Sequence, residues 1–140
     1  MMINTDQADV TAVLYRAARA MDSRDWDLLA DCYAPDARGD YTNAVAEDRD
    51  AILASARGFL GTLDATQHLV GNVEVTVDGD TATTHATFIA QHVRAGGHFL
   101  MGGNYDDTLR RTADGWKITN RRIRGIWADG DPAVLTVAVS

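Results

Sequence analysis

Asp22 and His68 are the two residues of this chain best suited to move a proton. Asp22 follows Met21 at the end of an apolar helical stripe, one residue round from the apolar positions, so it breaks the pattern there. His68 lies in Thr66-Gln67-His68-Leu69, at the entry to the first long strand. An imidazole is the usual proton acceptor near neutral pH. A carboxylate on its other nitrogen fixes the tautomer and stabilises the imidazolium. Taken singly, Asp22 also fits a solvated acid at a helix end, and His68 also fits a satisfied core or surface histidine. The two are far apart in sequence, so spacing alone does not pair them.

The elements that must position them are legible as a change of period. From Thr5 to Met21 the apolar residues Val10, Val13, Leu14, Ala17, Ala18 and Met21 recur at three and four, which predicts a helix with Thr5 as N-cap and Asp6 in its first turn. Asp25 to Tyr33 reads as a short second helix showing Trp26, Leu29, Cys32 and Tyr33 inward and stopped by Pro35. Ala37–Tyr41 reads as a short strand or extended arm. A third helix runs from about Glu47, with Ile52, Leu53, Ala56, Phe59, Leu60 and Leu63 on one side.

After Asp64 the period falls to two. Val73, Val75 and Val77 alternate before an Asp78-Gly79-Asp80 turn, and further strands are expected over Thr81–Val93, Phe99–Arg111 and Trp116–Trp127. Helices first and strands afterwards predict an α+β layer, three N-terminal helices on a strongly curved antiparallel sheet that encloses a pocket.

The 140 residues, 46% hydrophobic and 24% charged, fit one domain spanning 1–140. Such a length buries roughly 68% of the unfolded surface, enough to fold without staples. Cys32 is the single cysteine, and neither Cys-x-x-Cys nor a zinc spacing occurs, so no disulfide or structural metal is expected. Twelve arginines and one lysine lie scattered among twenty acids, and the net charge is -7, which argues against a nucleic-acid partner. MMINTDQADV has no basic segment followed by an apolar run, and no stretch reaches the ~18 apolar residues of a membrane span. A cytoplasmic location with no membrane contact is expected.

Three segments carry a resemblance. Asp22-Ser23-Arg24-Asp25-Trp26-Asp27-x-Leu29, then Ala34-Pro35-x-x-Arg38-x-Asp40-Tyr41, then Thr66-Gln67-His68 resemble the fungal scytalone dehydratases and their bacterial SnoaL-like relatives in the NTF2-like superfamily. The relatives include bile-acid dehydratases and hexachlorocyclohexane dehydrochlorinase. The resemblance implies the cone-shaped fold and places the family's catalytic Asp and His on Asp22 and His68. It puts Tyr41 on a tyrosine that holds a water against the substrate carbonyl. Asn104 and Asp106 fall where the fungal enzymes present a Ser and an Asn to the pocket, although two polar side chains opposite Leu109 also fit an exposed strand face. His92 or its neighbour Gln91 lies near a second pocket histidine, offset by one residue. Arg121 aligns with a pocket arginine of the dehydrochlorinase, while Arg121-Arg122-Ile123-Arg124 otherwise reads as a solvated strand.

Met21 stands where the fungal enzymes carry a second water-binding tyrosine, and Ala17 and Gly39 where the dehydrochlorinase has a lysine and a tryptophan. Those departures point away from scytalone and from lindane-type compounds. The expected function is a cofactor-independent lyase, a dehydratase acting on a small cyclic or polyketide-like hydroxy-carbonyl compound. The alternatives are an isomerase or cyclase using the same dyad, or a non-catalytic ligand-binding or assembly domain. A homo-dimer or homo-trimer formed through the outer sheet face is also expected.

Overall fold

The structure, a computed structural model, describes residues 3–136. Helix α1 (Asp6–Ser23) forms over the predicted stripe and buries Val10, Val13, Leu14, Ala17, Ala18 and Ala20. Thr5 precedes it, but its hydroxyl donates to the Asp9 carboxylate at 2.8 Å and caps no backbone N–H. The helix ends where Arg24 turns left-handed at φ 56°.

Helix α2 (Trp26–Asp31) begins on Asp25, whose carboxylate accepts from the Leu28 N–H at 3.0 Å. It is shorter than the sequence suggests because Tyr33 leaves it to open strand β1 (Tyr33–Tyr41), paired there with Ile118. Pro35 is therefore inside a strand. It sits in the stretch between Tyr33 and Arg38 where the register shifts, a place that requires no ladder donor from it.

A short β2 (Ala44–Ala46) folds back on β1, and α3 (Arg49–Leu60) follows, capped by the Asp48 carboxylate accepting from the Ala51 N–H at 2.8 Å. Four long strands then make up the rest of the sheet: β3 (Ala65–Asp78), β4 (Thr81–Arg94), β5 (Gly97–Thr112) and β6 (Gly115–Gly130). A 3-10 turn at Pro132–Leu135 ends the described chain.

The strand order is β2-β1-β6-β5-β4-β3. The strand or arm expected between the second and third helices is β1, followed by β2. One expectation is corrected here: the sheet is not wholly antiparallel, because β1 runs parallel to β6. A parallel pair needs a long crossover, and all of β2 to β5 with α3 lies between these two strands. No described helix is long and apolar enough to cross a membrane.

The inner face of the sheet is set by irregularities as much as by alternation. Strand β3 changes register between Gly71 and Glu74, with Asn72 left-handed at φ 49°. The bulge shifts the parity, so His68 and Val70 share a face with Val73, Val75 and Val77. A second shift in β6, opposite Thr108 and Leu109, brings Arg121 onto the same side as Trp116 and Ile118.

Among the described residues the apolar interior divides into three clusters. The largest joins α1 and α2 to the sheet through Leu14, Leu29, Leu109, Trp116 and Ile118. A second gathers Leu60, Leu63 and Val134 at the opposite end, and a third lies mid-sheet around Phe88, Ala90 and Tyr105.

If the bulge positions the site, its backbone must be costly to fill with the wrong residue. Asn72→Val is expected to lower stability by about 1–2 kcal/mol, because a β-branched residue resists the left-handed region, whereas Asn72→Gly should be neutral or better. Urea denaturation of the two variants checks this. Equal midpoints would remove the argument.

Candidate active site

Strand β3 is an edge of the sheet, so its outward N–H groups have no strand partner. The last turn of α1 supplies one in the form of Asp22. Its carboxylate accepts from the His68 backbone N–H at 2.9 and 3.1 Å and from the Thr66 hydroxyl at 2.9 Å. It also lies 2.7 Å from His68 Nδ1. A carboxylate can only accept, so Nδ1 carries the proton and the neutral ring keeps its lone pair on Nε2. No hydrogen bond among the described residues reaches that atom.

The side chain of His68 is 7% exposed and that of Asp22 25%. Partial burial pushes the Asp22 carboxyl upward, but the hydrogen bonds and charge of His68, with Thr66, outweigh it and hold the group below the usual carboxylate range. An imidazole and a carboxylate in this geometry can serve as a base and its orienting acid.

His92 stands opposite Thr66 on β4, and its ring is on the same face as His68. It is 1% exposed, and its Nδ1 donates to the Phe99 carbonyl at 2.9 Å. Its ring meets that of His68 edge-on, centroids 6.1 Å apart, and that of Phe59 in the same manner at 6.0 Å. Burial lowers the His92 pKa, only partly opposed by the Phe99 carbonyl, so the ring is held neutral beside the pair.

Arg121 is not solvated. Its Nε and Nη2 donate to the two oxygens of Asp107 at 2.9 and 2.8 Å, and both side chains are buried. Its guanidinium lies 4.1 Å from the centre of the Tyr105 ring. Burial opposes the charge on Arg121, but Asp107 and the surrounding tyrosines raise its pKa well above the ordinary value. Tyr41, at the end of β1, folds its ring over Gly39, which pairs with Arg121 across β1 and β6; burial raises its pKa, opposed by Arg121. Tyr41 therefore belongs to the Arg121 end of the interior.

Asn104 and Asp106 are not part of this arrangement, which corrects the expectation from the fungal pattern. Asn104 pairs across strands with Thr87 and Arg124, and Asp106 binds His85 Nδ1 at 2.6 Å, both partners about half exposed on the outer face. The inward residues of β5 are Tyr105, Asp107 and Leu109. The signal for Asp107 was present: it alternates in step with Leu109, an evident core residue.

Two surface hollows, about 370 and 620 Å³, open near His85 and Arg122 and near Asn4 and Arg111. Neither is lined by Asp22 or His68, so the pocket expected around the pair is neither of them. Among the described residues no group of three or more His, Cys, Asp or Glu side chains is placed to hold a metal.

Since Asp22 is held below its unfolded carboxyl value of ~3.9, its contribution is complete above that value and is lost as pH falls through the folded one. The stability gap between the native chain and Asp22→Asn should therefore be larger at pH 7 than at pH 3, as urea midpoints would show. A gap independent of pH would mean that the charge of Asp22 does nothing for the fold.

With this geometry in view, likenesses to known proteins are informative. A SnoaL-like domain family matches residues 4–122. The chain is 33% identical over 122 residues to the uncharacterised protein Rv2910c of Mycobacterium tuberculosis, covering 84% of this chain and 83% of that one. Over 74 residues it is 34% identical to the scytalone dehydratase-like protein claB of Passalora fulva, 47% of this chain and 46% of that protein. The crystal structure of Kfla4162 from Kribbella flavida is similar with a TM-score of 0.82 at 26% identity, covering 89% of this chain and 93% of that one. The chain belongs to the SnoaL-like family of the NTF2-like superfamily.

Proposed function

We propose that this chain is a cofactor-independent lyase, a dehydratase acting on a small cyclic or polyketide-like hydroxy-carbonyl compound. The observation that carries the reading is the Asp22–His68 bond, which leaves Nε2 as an acceptor with no partner among the described residues. The partial likeness to claB, named scytalone dehydratase-like, supports the same class of reaction.

In this reading His68 Nε2 removes a proton from the carbon next to the substrate carbonyl, and the C–H electron pair becomes an enolate. Asp22 holds the imidazolium that results. The enolate then re-forms its carbonyl, the new C=C bond forms, and the β C–O bond breaks. The proton on Nε2 goes to the departing hydroxide, so water leaves and the base is restored. Tyr41, its hydroxyl kept protonated by burial, polarises the carbonyl, and donors aimed at developing charge contribute several kcal/mol. An isomerase would share the first half of this sequence, returning the proton to another carbon. A binding domain has no use for an imidazole oriented by a carboxylate, which favours the enzyme.

Screening cyclic hydroxy-ketones for loss of water, followed by the absorbance of the new conjugated double bond, is the direct test. On a compound so found, His68→Ala should lower turnover by a factor on the order of 10²–10⁴ with binding less affected. Asp22→Asn should come close behind, and Tyr41→Phe should do less. If folded His68→Ala and Asp22→Asn both keep native turnover, the binding-domain reading replaces this one.

We also propose that the outer sheet face joins copies of the chain. Leu69, Ile89 and Gly102 lie in one cross-strand row there, and Trp127 covers Gly102; Leu69 is 67% exposed, Ile89 42% and Trp127 47%. Sedimentation should show a dimer or trimer that Leu69→Asp weakens. A monomer at micromolar concentration would reject the proposal.

A further inference from the structure

We propose that Tyr105 is a hydrogen-bond donor of the catalytic site, giving its O–H to the substrate oxygen on which negative charge collects; the proposal rests on the lyase reading above. Tyr105 is 3% exposed on the inner face of β5, yet its hydroxyl makes no hydrogen bond among the described residues. It is also not one of the sealed, unpartnered side-chain atoms, which there are Thr84 Oγ1 and Trp116 Nε1. A buried phenol on the inner face whose hydroxyl has no partner among the described residues is a donor with a partner still to meet.

The ring is held for that purpose. Phe88 stacks on it with centroids 4.4 Å apart and planes 16° apart, and the Arg121 guanidinium lies 4.1 Å from its centre. Asp107 fixes the guanidinium through two bonds. A cation against the face of a phenol draws electron density from it and strengthens the O–H as a donor. Burial keeps the group protonated, its pKa pushed up to about 12, so it donates at every working pH. Tyr105 packs with Phe88 and Ala90, and Ala90 is the cross-strand partner of His68, so the ring shares the inner face with the proposed base. The Arg121–Asp107 pair acts through the ring and is a positioning element.

The test uses two flat probes, 4-nitrophenolate at pH 8 as the oxyanion and nitrobenzene as the same ring without it, with the ring nitrogens of His68 followed by NMR to locate them. The expected result is that both probes shift His68, and that Tyr105→Phe weakens 4-nitrophenolate by tenfold or more, about what a hydrogen bond to a charged group supplies. Nitrobenzene should change less than about twofold, since Phe keeps both stacking contacts. Should the variant not fold, the Cζ resonance of ¹³C-labelled Tyr105 in the native chain must move with 4-nitrophenolate and stay with nitrobenzene. Probes that shift His68 while Tyr105→Phe changes nothing, or while Cζ stays with both, would overturn the role of Tyr105 and leave the base untouched. If 4-nitrophenolate does not bind, or binds without moving His68, the proposal falls and the reading of the site falls with it.

Discussion

The carboxylate of Asp22 holds two things together that a fold could have kept apart. By accepting from the backbone of His68 and the hydroxyl of Thr66, it ties the end of α1 to the unpaired edge of β3. By accepting from Nδ1 of the same histidine, it sets the tautomer of the ring. An edge N–H would otherwise face water or a neighbouring chain, so the docking contact and the chemical one are the same contact. Local structure at the sheet edge and reactivity at Nε2 thus respond to a single ionisation.

The second constraint is the buried pair of Arg121 and Asp107. Two charges taken out of water cost more than their attraction returns unless their geometry is good, and here it is bidentate with an aromatic face against the cation. A hydrophobic replacement of equal volume would serve stability as well. That such a pair persists on the inner face, surrounded by Tyr33, Tyr41 and Tyr105, argues that the interior at that end has electrostatic work to do.

What was legible in the sequence followed the strength of each local signal. The stripe from Val10 to Ala18 and the alternation of Val73, Val75 and Val77 are strong, and α1 and the long strands lie where they predict. Tyr33 opens β1 where the apolar pattern predicts the last turn of α2, because an aromatic residue near a helix end fits either element until a partner strand claims it. The pairing of Asp22 with His68 was inferred from the resemblance, since contacts 46 residues apart leave no trace in spacing. The resemblance puts Asn104 and Asp106 toward the pocket, whereas their position opposite Leu109 fits the outer strand face on which they lie.

The bulges explain why parity alone would not have sufficed. Read without Asn72, His68 and the valines of β3 are on opposite faces, and either the histidine or the apolar core would have to be given up. The inserted residue keeps both by turning the strand over between them, at the cost of one left-handed position. The extra residue in β6 does the same for Arg121 relative to Ile118. In each strand the polar stretch and the apolar stretch have opposite parity in the sequence and one face in the fold. The inner face can therefore carry both the packed core and the side chains of His68, His92, Tyr105 and Arg121, with neither requirement compromising the other.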